Sequence, residues 1–277
     1  MLVEGVDFTR EMMSLDDAGW RAMASNLSDL AAMAARPVLA TVALGFRQDA
    51  SGEEILELYR GIAACAEEYK ISIVGGDLSR APAFTIAIAV VGEVRISNVK
   101  TRAGGKAGDV LAVTGPLAAS RAGLELTRAA AMIPQELSAQ ALQALRRPQA
   151  RIAEGKFLGA SRNVTAMIDV SDGLSTDVYR LAVASGCGAE IESVPIAEAA
   201  IAVAEAKHED PERFALAGGE DFELLVAIRP RAFAHLARRY ETRFKRPLFK
   251  VGTLSEGSEI RWRGSQLERT GWDHFLR

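Results

Sequence analysis

Cysteine, histidine and an excess of either charge are all scarce in this chain, and each scarcity closes off a class of function. The two cysteines in 277 residues, Cys65 and Cys187, stand far apart among Ala and Gly. They make no disulfide frame and no thiolate metal site, and they read as small core residues of a protein from a reducing compartment. The expected location is therefore cytoplasmic. The three histidines, His208, His235 and His274, are scattered, which excludes a zinc-spaced cluster. A formal net charge of −3 gives no electrostatic reason to expect nucleic acid or an anionic membrane as partner. No apolar run approaches the ~18 residues that span a bilayer. Glu4 and Asp7 stand where a signal peptide would carry basic residues. A P-loop, a kinase catalytic loop and a nucleophile elbow are all missing.

What is present is ordinary for a globular protein, with 49% hydrophobic and 25% charged residues. The length suits one large domain or two ordinary ones. Leu2 to Phe8 reads weakly as a strand. An Ala-rich segment follows Asp16 and Asp17 through Ala35, with Trp20, Ala24, Leu27, Ala31 and Ala34 at helical spacing, and Arg36-Pro37 stops it. Val38–Phe46 is a strand by composition. Ser51-Gly52-Glu53-Glu54 is a capping box, opening a helix whose stripe is Ile55, Leu58, Ile62, Ala66 and Tyr69. Strands are expected at Ile71–Val74 and Phe84–Val94, on either side of a Gly-Gly-Asp turn.

A basic, glycine-rich connector, Lys100 to Asp109, changes the texture of the chain. A domain boundary just before it divides the chain into 1–96 and 97–277. Beyond it come strands at Val110–Thr114, ending at Asp169, at Ala189–Glu192, at Glu223–Ile228, and near Phe249 and Ile260. Helices are expected at Leu117–Ala130, Gln149–Ser161, Ser175–Ala184, Ile196–Ala206 and Arg231–Tyr240. Strands alternate with helices in both halves, so the fold class is α/β, or mixed α+β.

Four acidic or glycine-rich features stand at the ends of apolar elements. In Met167-Ile168-Asp169-Val170-Ser171-Asp172-Gly173-Leu174, a strand delivers two carboxylates and a hydroxyl to a glycine turn, with Asp177 close behind. An N-cap needs only one such residue. A calcium loop fails on register, because Gly173 is fifth from Asp169 where that loop needs its glycine sixth. Hard oxygens without His or Cys suit Mg²⁺ carrying a polyphosphate. In Asn26-Leu27-Ser28-Asp29, Asn26 and Asp29 share a helix face, and Asp29 alone reads as a surface carboxylate or as a ligand. Gly75-Gly76-Asp77 reads as a plain turn or as a backbone approach to a ligand. In Gly218-Gly219-Glu220-Asp221-Phe222-Glu223, Glu220 or Asp221 could face a ligand, while Glu223 alternates with apolar residues and reads as structural.

Together with Leu2-Val3-Glu4-Gly5-Val6 and Gly271-Trp272-Asp273-His274-Phe275, these segments resemble the thiamine-monophosphate kinase family. Its superfamily includes aminoimidazole ribonucleotide synthetase and selenophosphate synthetase, and the segments run in the family's order over essentially the whole chain. The resemblance implies a two-domain aminoimidazole ribonucleotide synthetase-like architecture and a homodimer paired through its N-terminal strands. It implies direct transfer of the γ-phosphoryl of ATP to thiamine monophosphate, with no covalent enzyme intermediate. Asp29, Asp77, Asp169 and Asp172 would then be Mg²⁺ ligands, and Arg102 and Ser171 would contact ATP. Glu220 and Trp272 would meet the cationic thiazolium ring. Asp7 stands where the family usually has a substrate-contacting His, so acceptor binding could differ. Relatives also carry several dozen residues ahead of the segment matched by Leu2–Val6, including a Gly-Asp-Asp metal site. The resemblance therefore implies that residues 1–277 alone turn over much more slowly than a form extended upstream. Two rival readings stay open: another acceptor within the same superfamily, or a non-catalytic nucleotide-binding member.

Overall fold

Among the described residues, the alternation of strand and helix resolves into two sheets, one of four strands and one of seven. The protein is described by a computed structural model covering residues 1–128, 131–268 and 270–271. The first sheet is built from β1 (Leu2–Val3), α1 (Leu15–Ala32), β2 (Arg36–Phe46), α2 (Gly52–Glu68), β3 (Ser72–Arg80) and β4 (Thr85–Glu93). Its strand order is β1-β4-β2-β3, with β2 parallel to β3 and antiparallel to β4. The second comprises β5 (Val110–Val113), α3 (Ala119–Thr127), α4 (Gln135–Arg146), α5 (Ile152–Gly159), β6 (Val164–Val170), α6 (Leu174–Ala184) and β7 (Gly188–Ile191). It continues with α7 (Glu198–Ala206), α8 (Pro211–Leu216), β8 (Glu223–Ile228), α9 (Pro230–Phe244), β9 (Phe249–Ser255), β10 (Ile260–Trp262) and β11 (Ser265–Gln266). Here the order is β11-β10-β7-β9-β5-β8-β6, which puts β6 at an edge.

The helix starts follow local chemistry. The Ser14 side chain caps α1, accepting from the Asp17 N–H at 3.1 Å. Ser51 and Glu54 form the reciprocal capping box of α2 at 3.2 and 2.8 Å. The two helices cross almost backbone to backbone. A Cβ on Gly61 would lie 1.7 Å from the Asp16 carbonyl oxygen, and one on Gly19 would lie 2.1 Å from that of Leu58. Helix α1 is buried along most of its length, as its apolar residues on several faces require. It packs on α2 and β4 on one side and on α5 and β6 on the other. Ala31 and Ala32 join Leu158, Leu224 and Tyr240 in a core that belongs mainly to the second sheet. One helix is therefore shared by both halves.

Four segments differ from expectation. The strand expected over Leu2–Phe8 stops at Val3, because the Asp7 carboxylate accepts the Val3 N–H at 2.8 Å and the Asp7 N–H returns to the Val3 carbonyl at 2.9 Å. The Gly75-Gly76-Asp77 turn is instead the middle of β3. A Cβ on Gly76 would meet the Val42 carbonyl oxygen at 1.8 Å, beside the register shift at Ala40/Thr41, so that glycine serves strand pairing. Helices α4 and α8 were not expected. Only Ala141 and Leu145 of α4 are buried, too narrow a stripe to stand out. Helix α8 is short and rests on its Asp210 cap and on Pro211 at its start.

Candidate active site

Strand β6 carries a carboxylate into the interior. Asp169 is 6% exposed, and its Oδ2 accepts the Ser28 hydroxyl of α1 at 2.7 Å. Burial pushes the Asp169 pKa up to about 6. The Ser28 bond pulls it down, and the charges of Asp29 and Asp172 add to the rise. Asp29 reaches solvent, yet partial burial raises its pKa against the pull of Arg102. Three segments thus share one electrostatic neighbourhood: Asp29 from α1, Asp169 and Asp172 from β6 and the loop after it, and Arg102 from the connector.

Beyond β6 the loop is held from inside α6. Asp177, fully buried, accepts the N–H groups of Ser171 and Asp172, each at 3.0 Å. Burial pushes Asp177 up to about 7, while the Asp172 N–H and Arg180 draw it back. Arg180 reaches Asp177 Oδ1 at 2.9 Å and also pairs with Asp172. Asp177 was read as a fourth polar group of the motif, and its carboxylate serves as the brace of the loop.

A second loop, residues 218–222, lies against the first. Glu220 and Phe222 take positive φ angles of 65° and 50°, a conformation that costs a non-glycine residue about 1 kcal/mol or more. The Glu220 N–H donates to the Ser171 carbonyl at 2.7 Å and the Phe222 N–H to that of Val170 at 2.9 Å. The Glu220 side chain pairs with Arg21 of α1. Asp221 turns the opposite way and accepts the N–H groups of Ala118 and Ser120 at 2.6 and 3.5 Å, capping α3. Glu223, as read from its alternation, is structural: it is buried, accepts Thr114 Oγ1 at 2.6 Å, and pairs with Arg151 at 2.5 Å.

Asp221 makes a pH prediction. Burial pushes its pKa up to about 8 from an ordinary 3.8. The native state therefore holds a proton that the unfolded chain releases, and this contribution to stability is lost as pH rises towards 8. Asp221→Asn keeps the bond to the Ala118 N–H without the charge. Its melting temperature should fall less than the parent's between pH 5 and 9. Parallel melting curves would discard the idea.

The expected site residues fall into three groups. Asp29, Arg102, Asp169, Ser171, Asp172 and Glu220 are gathered around the ends of β6 and α1, by charge or by hydrogen bond. Asp7 is engaged with the Val3 N–H in its own turn, and Asp77 stands exposed on β3. Trp272 lies outside the described residues. Among the described residues, no three acidic, His or Cys side chains yet close on a single point as metal ligands. Arg21, Ser28 and Arg180 escape the sequence reading, whereas Asp221, read alongside Glu220 as able to face a ligand, turns to the start of α3. An Arg inside an Ala-rich helix was the visible signal for the first, and the place of Ser28 just before Asp29 for the second.

Known proteins match this chain over most of its length. The family described as AIR synthase related protein matches with its N-terminal domain over residues 1–94 and its C-terminal domain over 106–261. Thiamine-monophosphate kinase of Rhodopirellula baltica is 37% identical over 256 residues, covering 91% of this chain and 73% of its own. That of Aquifex aeolicus is 32% identical, covering 99% and 86%. The solved structure of AaThiL complexed with AMPPCP and TMP superposes with a TM-score of 0.88 at 30% identity, over 99% of this chain and 85% of that one. With matches of this extent through both sheets, the chain belongs to the thiamine-monophosphate kinases, within the AIR synthase related proteins.

Proposed function

We propose that this protein transfers the γ-phosphoryl group of ATP to the phosphate of thiamine monophosphate, giving thiamine diphosphate and ADP. The observation that carries the reading is the buried Asp169 carboxylate, which feels the charges of Asp29 and Asp172 and adjoins a Ser171 loop hydrogen-bonded to the Glu220 loop. An acceptor phosphate oxygen attacks the γ-phosphorus in line, the bond to the bridging oxygen of ADP breaks, and ADP leaves with that electron pair. Nothing in this transfer needs a protein nucleophile.

The donor set fits Mg²⁺. Asp169 is buried with a single hydroxyl donor on it, and two carboxylates nearby make its charge costlier still, so hard oxygens and surplus negative charge coincide. In this reading Asp29, Asp77, Asp169 and Asp172 hold the metal, Arg102 and Ser171 contact ATP, and Asp7, Glu220 and Trp272 serve the acceptor. Bound Mg²⁺ would neutralise the two phosphate groups that otherwise repel. Asp177 and Arg180 keep the Ser171–Asp172 loop in place, and Ser28 orients Asp169.

A homodimer and a cytoplasmic location complete the proposal. The dimer is supported by β3, the edge of the first sheet, which leaves Val74 and Leu78 59% and 60% exposed. Cys65 and Cys187, both buried and free, suit a reducing compartment. The test is incubation with ATP, Mg²⁺ and thiamine monophosphate, with chromatographic detection of thiamine diphosphate. Product should form, and EDTA should abolish it. Failure with this acceptor and success with another phosphate or a selenide would move the chain elsewhere in the superfamily.

A further inference from the structure

Arg21 is a buried cation with an unusual set of neighbours. It lies near the middle of α1, is 1% exposed, and is the largest of the fully buried side chains among the described residues. One guanidinium nitrogen, Nη1, donates to the Leu145 carbonyl in the last turn of α4, where a cation suits the helix terminus. Nη2 touches Glu220 Oε2, an ion-pair contact without hydrogen-bond alignment, and Nε has no hydrogen-bond partner among the described residues. A group this costly to bury needs a return. Packing alone does not supply one, because an apolar side chain of the same length would fill the space without the desolvation.

The partner indicates what the return is. Glu220 is 41% exposed, held on one carboxylate oxygen from the protein side. Its backbone is in the left-handed region, and its N–H is tied to Ser171, the residue before Asp172. The root of Arg21 is equally fixed. Trp20 Nε1 donates to the Pro148 carbonyl at 3.0 Å, Arg147 Nε to Asp17 at 2.7 Å, and Arg146 Nε to the Met12 carbonyl at 2.9 Å. Helix α1 and the end of α4 therefore form a rigid mount from which one guanidinium reaches the Glu220 loop.

We propose that Arg21 is a positioning residue for the acceptor: from α1 it fixes the rotamer and the strained loop of Glu220, leaving the open carboxylate oxygen aimed at an incoming cationic ring. This rests on the reading of Glu220 as the acceptor contact. Arg21 touches no reacting atom in this account.

Arg21→Met retains the length and removes the charge, and Glu220, being part exposed, can be hydrated in its absence. Hydrogen exchange should show the Glu220 and Phe222 amides opening about tenfold faster or more in the variant, with α1 amides unchanged. The KM for thiamine monophosphate should rise about tenfold while the KM for ATP stays within about twofold. In Arg21→Met/Glu220→Gln, the KM should be no higher than in Glu220→Gln alone. Unchanged exchange at Glu220 and Phe222, equal rises in both KM values, or effects that multiply would each overturn the assignment. If the parent protein makes no thiamine diphosphate, the kinase reading fails by itself, and the exchange measurement still decides whether Arg21 holds the loop. Should Arg21→Met fail to fold, Arg21→Gln, which also removes the charge but keeps an N–H donor for the Leu145 carbonyl, takes its place in the same measurements, with the same outcomes.

Discussion

Asp169→Asn is expected to give a protein that melts at a higher temperature than its parent and makes almost no thiamine diphosphate. The carboxylate is buried and repelled by Asp29 and Asp172, which with burial raises its pKa to about 6. A raised pKa in the folded state means that ionised Asp169 costs stability at neutral pH, and the amide removes that cost. Its oxygen can still accept the Ser28 hydroxyl, so the packing has no reason to change. The same charge is what a divalent cation needs, and losing several kcal/mol of charge stabilisation slows transfer about a thousandfold. Calorimetric melting at pH 7.5 and steady-state turnover on one preparation provide the check. A variant that melts earlier, or that keeps a tenth of the parental rate, would contradict this account of Asp169. Opposite signs in stability and activity mark a residue kept for function at the expense of the fold.

Gly61→Ala is expected to be the most damaging single-methyl change in the first sheet's helices. The added carbon would stand 1.7 Å from the Asp16 carbonyl oxygen and 2.9 Å from the Trp20 nitrogen, both of them backbone atoms that cannot rotate away. The helices must separate, at a cost of about 2–3 kcal/mol, which lowers the melting temperature by roughly 5–10 °C in a chain of this size. Gly61→Val should not give soluble folded protein. Gly52→Ala is the control, because nothing lies within 4 Å of its added methyl. It should melt within about a degree of the parent, the exposed helix start gaining slightly from a stiffer backbone. Equal melting temperatures for the two alanine variants would mean that the α1–α2 crossing is looser than drawn. Helix α1 carries Arg21, Ser28 and Asp29, so activity in Gly61→Ala should fall faster with temperature than its folded fraction does.

Features whose cause is local in sequence were legible. The Ser51–Glu54 capping box starts α2 as read, and the run into Asp169 is a buried strand turning into a helix. Asp177 stood out as polar excess, though its task as a brace depends on the fold of the loop around it. Gly75-Gly76 misled because the reason for Gly76 is the Val42 backbone, more than thirty positions away in the chain. Helix α4 escaped because its contact face is narrow, and Arg21–Glu220 because nothing near either residue announces the other. Motifs identified the family, whereas the contacts that aim those motifs cross between elements and leave little trace along the chain.

Helix α1 also acts as a spacer of set length. Arg21 engages the Glu220 loop and Ser28 engages Asp169, seven positions later on the same helix. Seven residues are close to two full turns, about 10 Å of rise, so both side chains project on nearly the same bearing. Inserting one residue between them would swing one contact about 100° around the axis while lengthening the gap by only about 1.5 Å. Substitutions in this stretch can be graded in their effect, but a change of length cannot. Among relatives of this chain, the interval between these two positions should be the one place where the count of residues never varies.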